Sequence, residues 1–406
     1  MKISRSLCLS LSLLACMSLC GGAKASHAAT FYVATTGNDA NPGTAAAPFR
    51  TLLKGVQTLR SGDTLIVKQG TYAEGISTIP SGSAGAHTTL QAAPGEAVTL
   101  QAPSSSLDSM IFFPDGSHHI TVDGFILDEN SLGGFGVANN DLSTIHHLVL
   151  RNLKIKNMRN SGILILGSNL ELRNLYIHHN GTFDMTSTYE HGIYFQGNNS
   201  LIIGCVIHDN ASGYGIQNYS SAGANPTDNT YLNNVLYNQS SGGLWISQGA
   251  NHLVANNIVY NSGNLPNRDT GALVCCGSNS KIYNNVVYNN SKAGIITINN
   301  NDVGAEVKNN IVYLNPAGNI VTINATVSNN LITNPSFVDP AKGDFRLLSS
   351  SAAIDAGVSL SQVPVDYDNM PRPQGSIYDI GAYEYRPGSG PASVPTPRNL
   401  RTVSKP

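Results

Sequence analysis

Aliphatic residues run in groups of two to four along most of this chain, and asparagine or glycine closes each group. Helical spacing is absent from these groups. The clearest unit is two asparagines, two aliphatic residues and usually a tyrosine. Its copies are Asn233-Asn234-Val235-Leu236-Tyr237, Asn256-Asn257-Ile258-Val259-Tyr260, Asn284-Asn285-Val286-Val287-Tyr288, Asn309-Asn310-Ile311-Val312-Tyr313 and Asn329-Asn330-Leu331-Ile332-Thr333. The second asparagines are spaced by 23, 28, 25 and 20 residues, a period that signals a solenoid. A second apolar run opens on glycine, as in Gly162-Ile163-Leu164-Ile165, Gly192-Ile193-Tyr194-Phe195 and Gly243-Leu244-Trp245-Ile246. A third lies between them, as in Ser200-Leu201-Ile202-Ile203 and Lys281-Ile282-Tyr283. Each period thus predicts three short strands separated by turns. Without helical linkers, alternating βαβ units are excluded. Stacked coils bury what single coils cannot. The expected fold is all-β: a single right-handed parallel β-helix of three-strand coils, roughly ten in number.

The asparagines have a mechanical role in this picture. Asn tolerates the left-handed backbone region, and stacked Asn side chains can bond to each other and to the turn backbone. Cys205 holds the aligned position one coil earlier. Residues 48–60 carry apolar positions at helical spacing, with Pro48 suited to a first turn, and predict a short N-terminal helix capping the solenoid. The expected organisation is a leader over 1–28, a cap and first coil over 29–97, the β-helix over 98–335, a C-terminal cap region over 336–385 and a Pro/Ser/Gly-rich tail over 386–406.

Composition narrows the class. The chain has 406 residues, 41% hydrophobic and 12% charged, with 40 glycines, which suits many tight turns. A net charge of −2 carries no nucleic-acid footprint. Lys2 and Arg5, then an apolar stretch from Leu7 to Leu19 and small residues, predict a secretory leader; Cys16 offers a lipoprotein alternative. That stretch is too short to span a membrane. Secretion or a periplasmic location is expected, and a monomer. Beyond the leader remain Cys205, Cys275 and Cys276, whose spacing suggests neither a disulfide framework nor a metal site.

Phe31-Tyr32-Val33 with Gly37-Asn38-Asp39-Ala40-Asn41-Pro42-Gly43-Thr44, and Gly62-Asp63-Thr64-Leu65-Ile66-Val67 with Gly70-Thr71-Tyr72, carry a resemblance. So do Asn334-Pro335-Ser336-Phe337-Val338-Asp339-Pro340, Ala353-Ile354-Asp355-Ala356-Gly357 and Tyr378-Asp379-Ile380-Gly381-Ala382-Tyr383-Glu384. Together with the coils, they resemble secreted bacterial right-handed β-helix proteins of the pectate lyase-like superfamily. The resemblance covers residues 31–385 and implies a groove on one strand face, flanked by longer loops. That group includes pectate and alginate lyases, uronan epimerases and members without a known activity.

Three turns are lengthened: 181–191, 220–229 and 263–270. All border the glycine-led strand, and loops on a rigid scaffold concentrate function. Alternation predicts one outward row of Leu164, Tyr194, Gln217, Trp245, Leu273 and Ile296, and a second of Leu166, Gln196, Tyr219, Ser247, Cys275 and Ile298. Tyr194, Tyr219 and Trp245, beside Gln217 and Gln248, suit stacking on sugar rings and hydroxyl recognition. The plain alternative is aromatic packing that stabilises the sheet. Glu190, His191, Asp184, Asp209, Arg268, Asp269 and Lys292 lie on neighbouring turns. The resemblance implies a uronan lyase or epimerase. His191, Lys292 or Arg268 would then act as base or carboxylate clamp, with Glu190 among the catalytic residues. Glu190, Asp209 and Asp269 could hold a Ca²⁺. A glycoside hydrolase would pair Glu190 with Asp209 or Asp269. A non-catalytic glycan-binding or envelope protein is the remaining reading. His178 and His208, aligned with the repeat tyrosines, predict a structural stack. His118-His119 and His146-His147 predict surface pairs.

Overall fold

Repeated strand-turn units leave each coil with open backbone edges above and below, so the coils pair with each other. The computed structural model describes residues 28–101, 108–129, 134–140, 144–182, 190–219, 225–263, 271–275, 277–297 and 303–388. It is a right-handed parallel β-solenoid. Nine complete coils run from Ile76–Ser77 to Ile311–Tyr313, with partial coils at both ends, close to the expected ten. Every coil carries a glycine-led, a middle and an Asn-led strand. The glycine-led and middle columns merge into one 22-stranded sheet, and ten Asn-led strands form a second. The registers run one residue per rung, as in Ile193 on Ile216 and Ile216 on Leu244. The core is a continuous aliphatic stack between the sheets.

The two asparagines of the repeat do different work. The first takes the left-handed conformation in every copy: Asn233, Asn256, Asn284, Asn309 and Asn329 have φ of 51–57°. The second points inward. Asn257 donates its backbone N–H and its side-chain amide to Asn285 Oδ1, and accepts the same pair from Asn234. Its amide also reaches Tyr231 O at 2.9 Å. The ladder continues through Asn310 to Asn330 and ends at Cys205, whose N–H donates to Asn234 Oδ1. Earlier coils fill that corner with Leu153 and Leu175. Turning the chain leaves backbone groups facing the dry interior, and a buried amide satisfies them.

The other two corners carry ladders of their own. Asn180, Asn210, Gln239, Ser262, Asn290 and Asn315 follow the Asn-led strands. Ser200, Asn229, His252 and Ser280 precede the middle strands. His252 is the titratable rung. Its Nδ1 accepts the Asn229 N–H, so the neutral ring carries its proton on Nε2, facing Gln248 O. Burial pushes it down to about 4, against a weaker opposing pull from the Gln248 carbonyl. The unfolded chain binds that proton near pH 6.5 and the folded chain near 4. Stability is therefore lost as pH falls through this window, by about 3 kcal/mol in total for this group. His252→Asn keeps an amide at the rung and should flatten the acid limb of the melting profile between pH 6.5 and 4. An unchanged limb would place the sensitivity elsewhere.

The short helix forms over Leu52–Thr58, later than Pro48 suggested, because Thr51 caps it by accepting the Lys54 N–H. Leu52 and Val56 are buried, and Gly55 lies against Val33 and Leu65 at the first rungs. At the other end, the chain folds back along the flank. Phe337, Phe345, Ile380 and Tyr383 pack on Val235, Ile258, Tyr260, Val286 and Ile311, covering the outer side of the later Asn-led strands. The first asparagines of the repeat dock this segment. Asn256, Asn284 and Asn309 donate to the carbonyls of Val365, Asp379 and Val358. Fully buried Arg372 bonds Glu384 and Asn256 Oδ1. His178, His208, Tyr237 and Tyr260 form the expected stack, with successive centroids 4.7–5.0 Å apart. Cys205 and Cys275 are buried. Among the described residues no helix is long and apolar enough to cross a membrane.

Candidate active site

The glycine-led strands stack so that the residues before their glycines form columns on the solenoid wall. Ser161, His191 and Tyr214 stand in one column: Gly162 N–H donates to His191 O, and Gly192 N–H to Tyr214 O. Ser161 Oγ accepts the His191 N–H at 2.8 Å and donates to Glu190 Oε2 at 3.0 Å. Ser212 Oγ donates to Glu190 O at 3.2 Å. One rung on, Gly213 has φ +69°, and a Cβ there would meet Glu190 O at 2.0 Å and His191 Nδ1 at 2.4 Å. Only glycine permits that approach. It brings the Tyr214 N–H to His191 Nδ1 at 2.9 Å.

His191 is buried, and the Tyr214 N–H occupies its Nδ1 lone pair. The neutral ring therefore carries its proton on Nε2. Glu190 beside it is half-buried. Burial raises its carboxyl above the usual carboxylate range, with the Ser161 hydrogen bond offsetting part of the rise.

An aromatic run continues from this point. The His191 ring stacks on Tyr194 at 5.4 Å and lies 5.8 Å from Tyr214; Tyr214 lies 4.8 Å from Trp245. Tyr194, Gln217 and Trp245 occupy successive rungs of one column, in the expected register, but Gln217 is buried rather than shown to solvent. The column then continues through Val274 and Ile296, not Leu273. The slip has a cause: Leu244 N–H donates to Ala272 O, as Ile193 N–H does to Gly215 O, so Ala272 rather than Gly271 takes the glycine place, and Leu273 turns inward with Leu244. Cys275 is inward for the same reason, paired with Ile246. Trp245 is half-buried against Val274, Ala293 and Ile296. Exposed Tyr219 and half-buried Gln248 lie at the far end of the strand from Glu190.

The remaining ionisable candidates do not converge on Glu190. Lys292 N–Cγ lies beside Gly263 and just before Ala293, whose carbonyl accepts from Ala272. That places it four rungs from Glu190, about 19 Å at about 4.8 Å per rung. The two cannot serve one scissile bond. Asp209 stands over His179 at the Asn-led end of its turn. Its carboxylate is held by His208 at 2.6 Å and Asn238 at 2.9 Å. Burial alone would raise it, but these bonds more than offset that and keep it below the usual range. Among the described residues no three His, Cys, Asp or Glu side chains are arranged to hold a metal ion. Asp184, Arg268, Asp269 and Ile298 lie outside the described residues. Ser161, Ser212, Gly213 and Tyr214 were not singled out from sequence. Aligning the residues before each glycine, where Ser161, His191 and Tyr214 coincide, is the signal that could have found them.

A family profile described as Pel9A-like, right handed beta helix region, matches residues 31–330. Among solved structures, pectate lyase Pel9A is 18% identical with a TM-score of 0.59, covering 88% of this chain and 96% of its own. XylC, solved in complex with xylose, is 12% identical with a TM-score of 0.54, covering 87% and 98%. At such identities the likeness concerns the fold. A comparison with curated proteins finds no match. The profile spans most of the coils described above, and the chain belongs to the Pel9A-like right-handed β-helix family.

Proposed function

We propose that this chain is a secreted enzyme acting on a uronic-acid-containing polysaccharide by lyase or epimerase chemistry. The observation that carries the reading is Glu190: a half-buried carboxyl with a raised pKa, at the head of an aromatic run across three rungs. A general base works best when its pKa lies near the operating pH, and burial moves Glu190 that way. It would take the C5 proton, with Tyr194 and Trp245 stacking on flanking sugars. In the lyase outcome the electron pair forms the C4–C5 double bond as the C4–O bond breaks. The family's pectate lyase Pel9A supports the substrate class by its name. Lys292, four rungs along, suits a carboxylate further down the same polymer rather than the reacting sugar. Ca²⁺ held by Glu190 and Asp209 fits less well, since Asp209 spends its oxygens on His208 and Asn238. The same engagement disfavours a paired-carboxylate hydrolase.

The test is incubation of the chain, starting after its leader, with pectate, alginate and chondroitin. The expected result is ultraviolet absorbance of an unsaturated uronate, or epimerised product by NMR, on at least one of them. Turnover should rise with pH through the elevated Glu190 value, because the base acts ionised. Trp245→Ala should raise KM about tenfold with a smaller change in kcat. Tight glycan binding that depends on Trp245, with no product from any uronan, would instead favour the binding-only reading.

A further inference from the structure

Five histidines gather away from the candidate active site, at the corner between the glycine-led and middle strands. His118 and His119 occupy one rung, His146 and His147 the next, and His87 lies alongside. The repeat geometry shapes each pair. The first histidine opens the middle strand, His118–Asp123 and His146–Arg151, and the second is left-handed, at φ 52° for His119 and 54° for His147. This turns both rings of a pair toward one point. Nδ1 of His118 lies 3.0 Å from Nδ1 of His119, and Nδ1 of His146 lies 2.8 Å from Nδ1 of His147. Rung stacking aligns the pairs, with His118 on His146 at 5.0 Å and His119 on His147 at 4.7 Å.

We propose that these paired imidazoles form a binding site for a divalent transition-metal ion with tetragonal preference, Cu²⁺ or Ni²⁺. At a metal–nitrogen bond of about 2.0–2.1 Å, ligands 90° apart stand about 2.9 Å from each other, and tetrahedral ligands about 3.4 Å. The observed 2.8–3.0 Å bites match the first geometry. No three side chains converge here; each rung offers two nitrogens, and solvent completes the shell. An ion midway between rungs would lie about 2.8 Å from each nitrogen, too far for a bond, so the ion sits in one rung. Two dications one rung apart repel strongly, so one ion per cluster is expected. In the free protein each pair is hydrogen-bonded, with one ring carrying its proton on Nδ1. Binding needs both Nδ1 lone pairs, so that ring shifts to its Nε2–H tautomer, with no net proton released. The His178–His179 pair repeats the bite at 2.7 Å, but its His178 ring is held in the aromatic stack with Tyr176 and His208.

The experiment is titration of the tag-free chain with CuCl₂, followed by calorimetry and electron paramagnetic resonance. One tight equivalent with a tetragonal, nitrogen-coupled spectrum is expected. His119→Asn with His147→Asn removes one nitrogen from each bite. Asn already serves the same left-handed column at Asn169 and Asn199, so the fold is retained, as a thermal melt would verify. Affinity should fall at least about tenfold, while His179→Asn leaves it unchanged and polysaccharide activity is unaffected by either. Equal affinity in the double variant, or the absence of a tight equivalent, would overturn the proposal.

Discussion

Glu190→Gln is expected to lower turnover on the uronan substrate by a factor of about 10²–10⁴, with KM held within about threefold. The amide keeps the size of the carboxyl and can still accept the Ser161 hydroxyl at Oε1. What it loses is the ability to take a proton. Stability should not suffer, because the partly buried site already disfavours the charged form. Ser161→Ala makes a useful companion. It removes the bond that steadies the ionised carboxyl, so the acid limb of the rate profile should move to higher pH with a smaller loss at its plateau. Full turnover in Glu190→Gln would sink the assignment of the base, even if cleavage itself were found.

Asn257→Leu should cost about 3–5 kcal/mol, read as a lower denaturation midpoint. The side chains are close in size, so the loss comes from hydrogen bonds. Asn234 would lose the acceptor for its N–H and its amide, and Tyr231 O would lose its donor. Each buried group left unpaired costs about 1–3 kcal/mol. Leucine is not foreign to this corner, since Leu153 and Leu175 fill it three and two coils before Asn234. There the neighbouring rungs are apolar as well. The penalty belongs to a break within the ladder rather than to leucine itself. A loss under about 1 kcal/mol would mean that water or a shifted amide restores the bonds.

The solenoid was legible because its signal is local and repeated. Runs of three or four apolar residues, closed by Asn or Gly, leave few alternatives once they recur at a steady period. Misreadings arose where the repeat itself is irregular. In Gly271-Ala272-Leu273 the apparent glycine marker lies one residue early, and period-two alternation then turns Leu273 and Cys275 inward. The same ruler placed Tyr194, Gln217 and Trp245 on successive rungs, with Glu190 just before the first. Their partners were harder, because Ser161 and Tyr214 are ordinary residues whose importance is a cross-rung contact.

Sequence by itself determined the stacking of coils, the aliphatic core and the columns on which Tyr194, Gln217 and Trp245 stand. These depend on period and alternation, properties of the chain near each residue. Tertiary structure decided the rest. It buried His191 and engaged its ring nitrogen, because Gly213 lets the Tyr214 N–H reach it. It set Lys292 four rungs from Glu190, though both lie one turn before a glycine-led strand. It also divided the repeat's asparagines between a buried ladder and the docking of the C-terminal segment. Hydrogen-bond partners and burial come from residues 20 to more than 100 positions away, and only the folded chain brings them together.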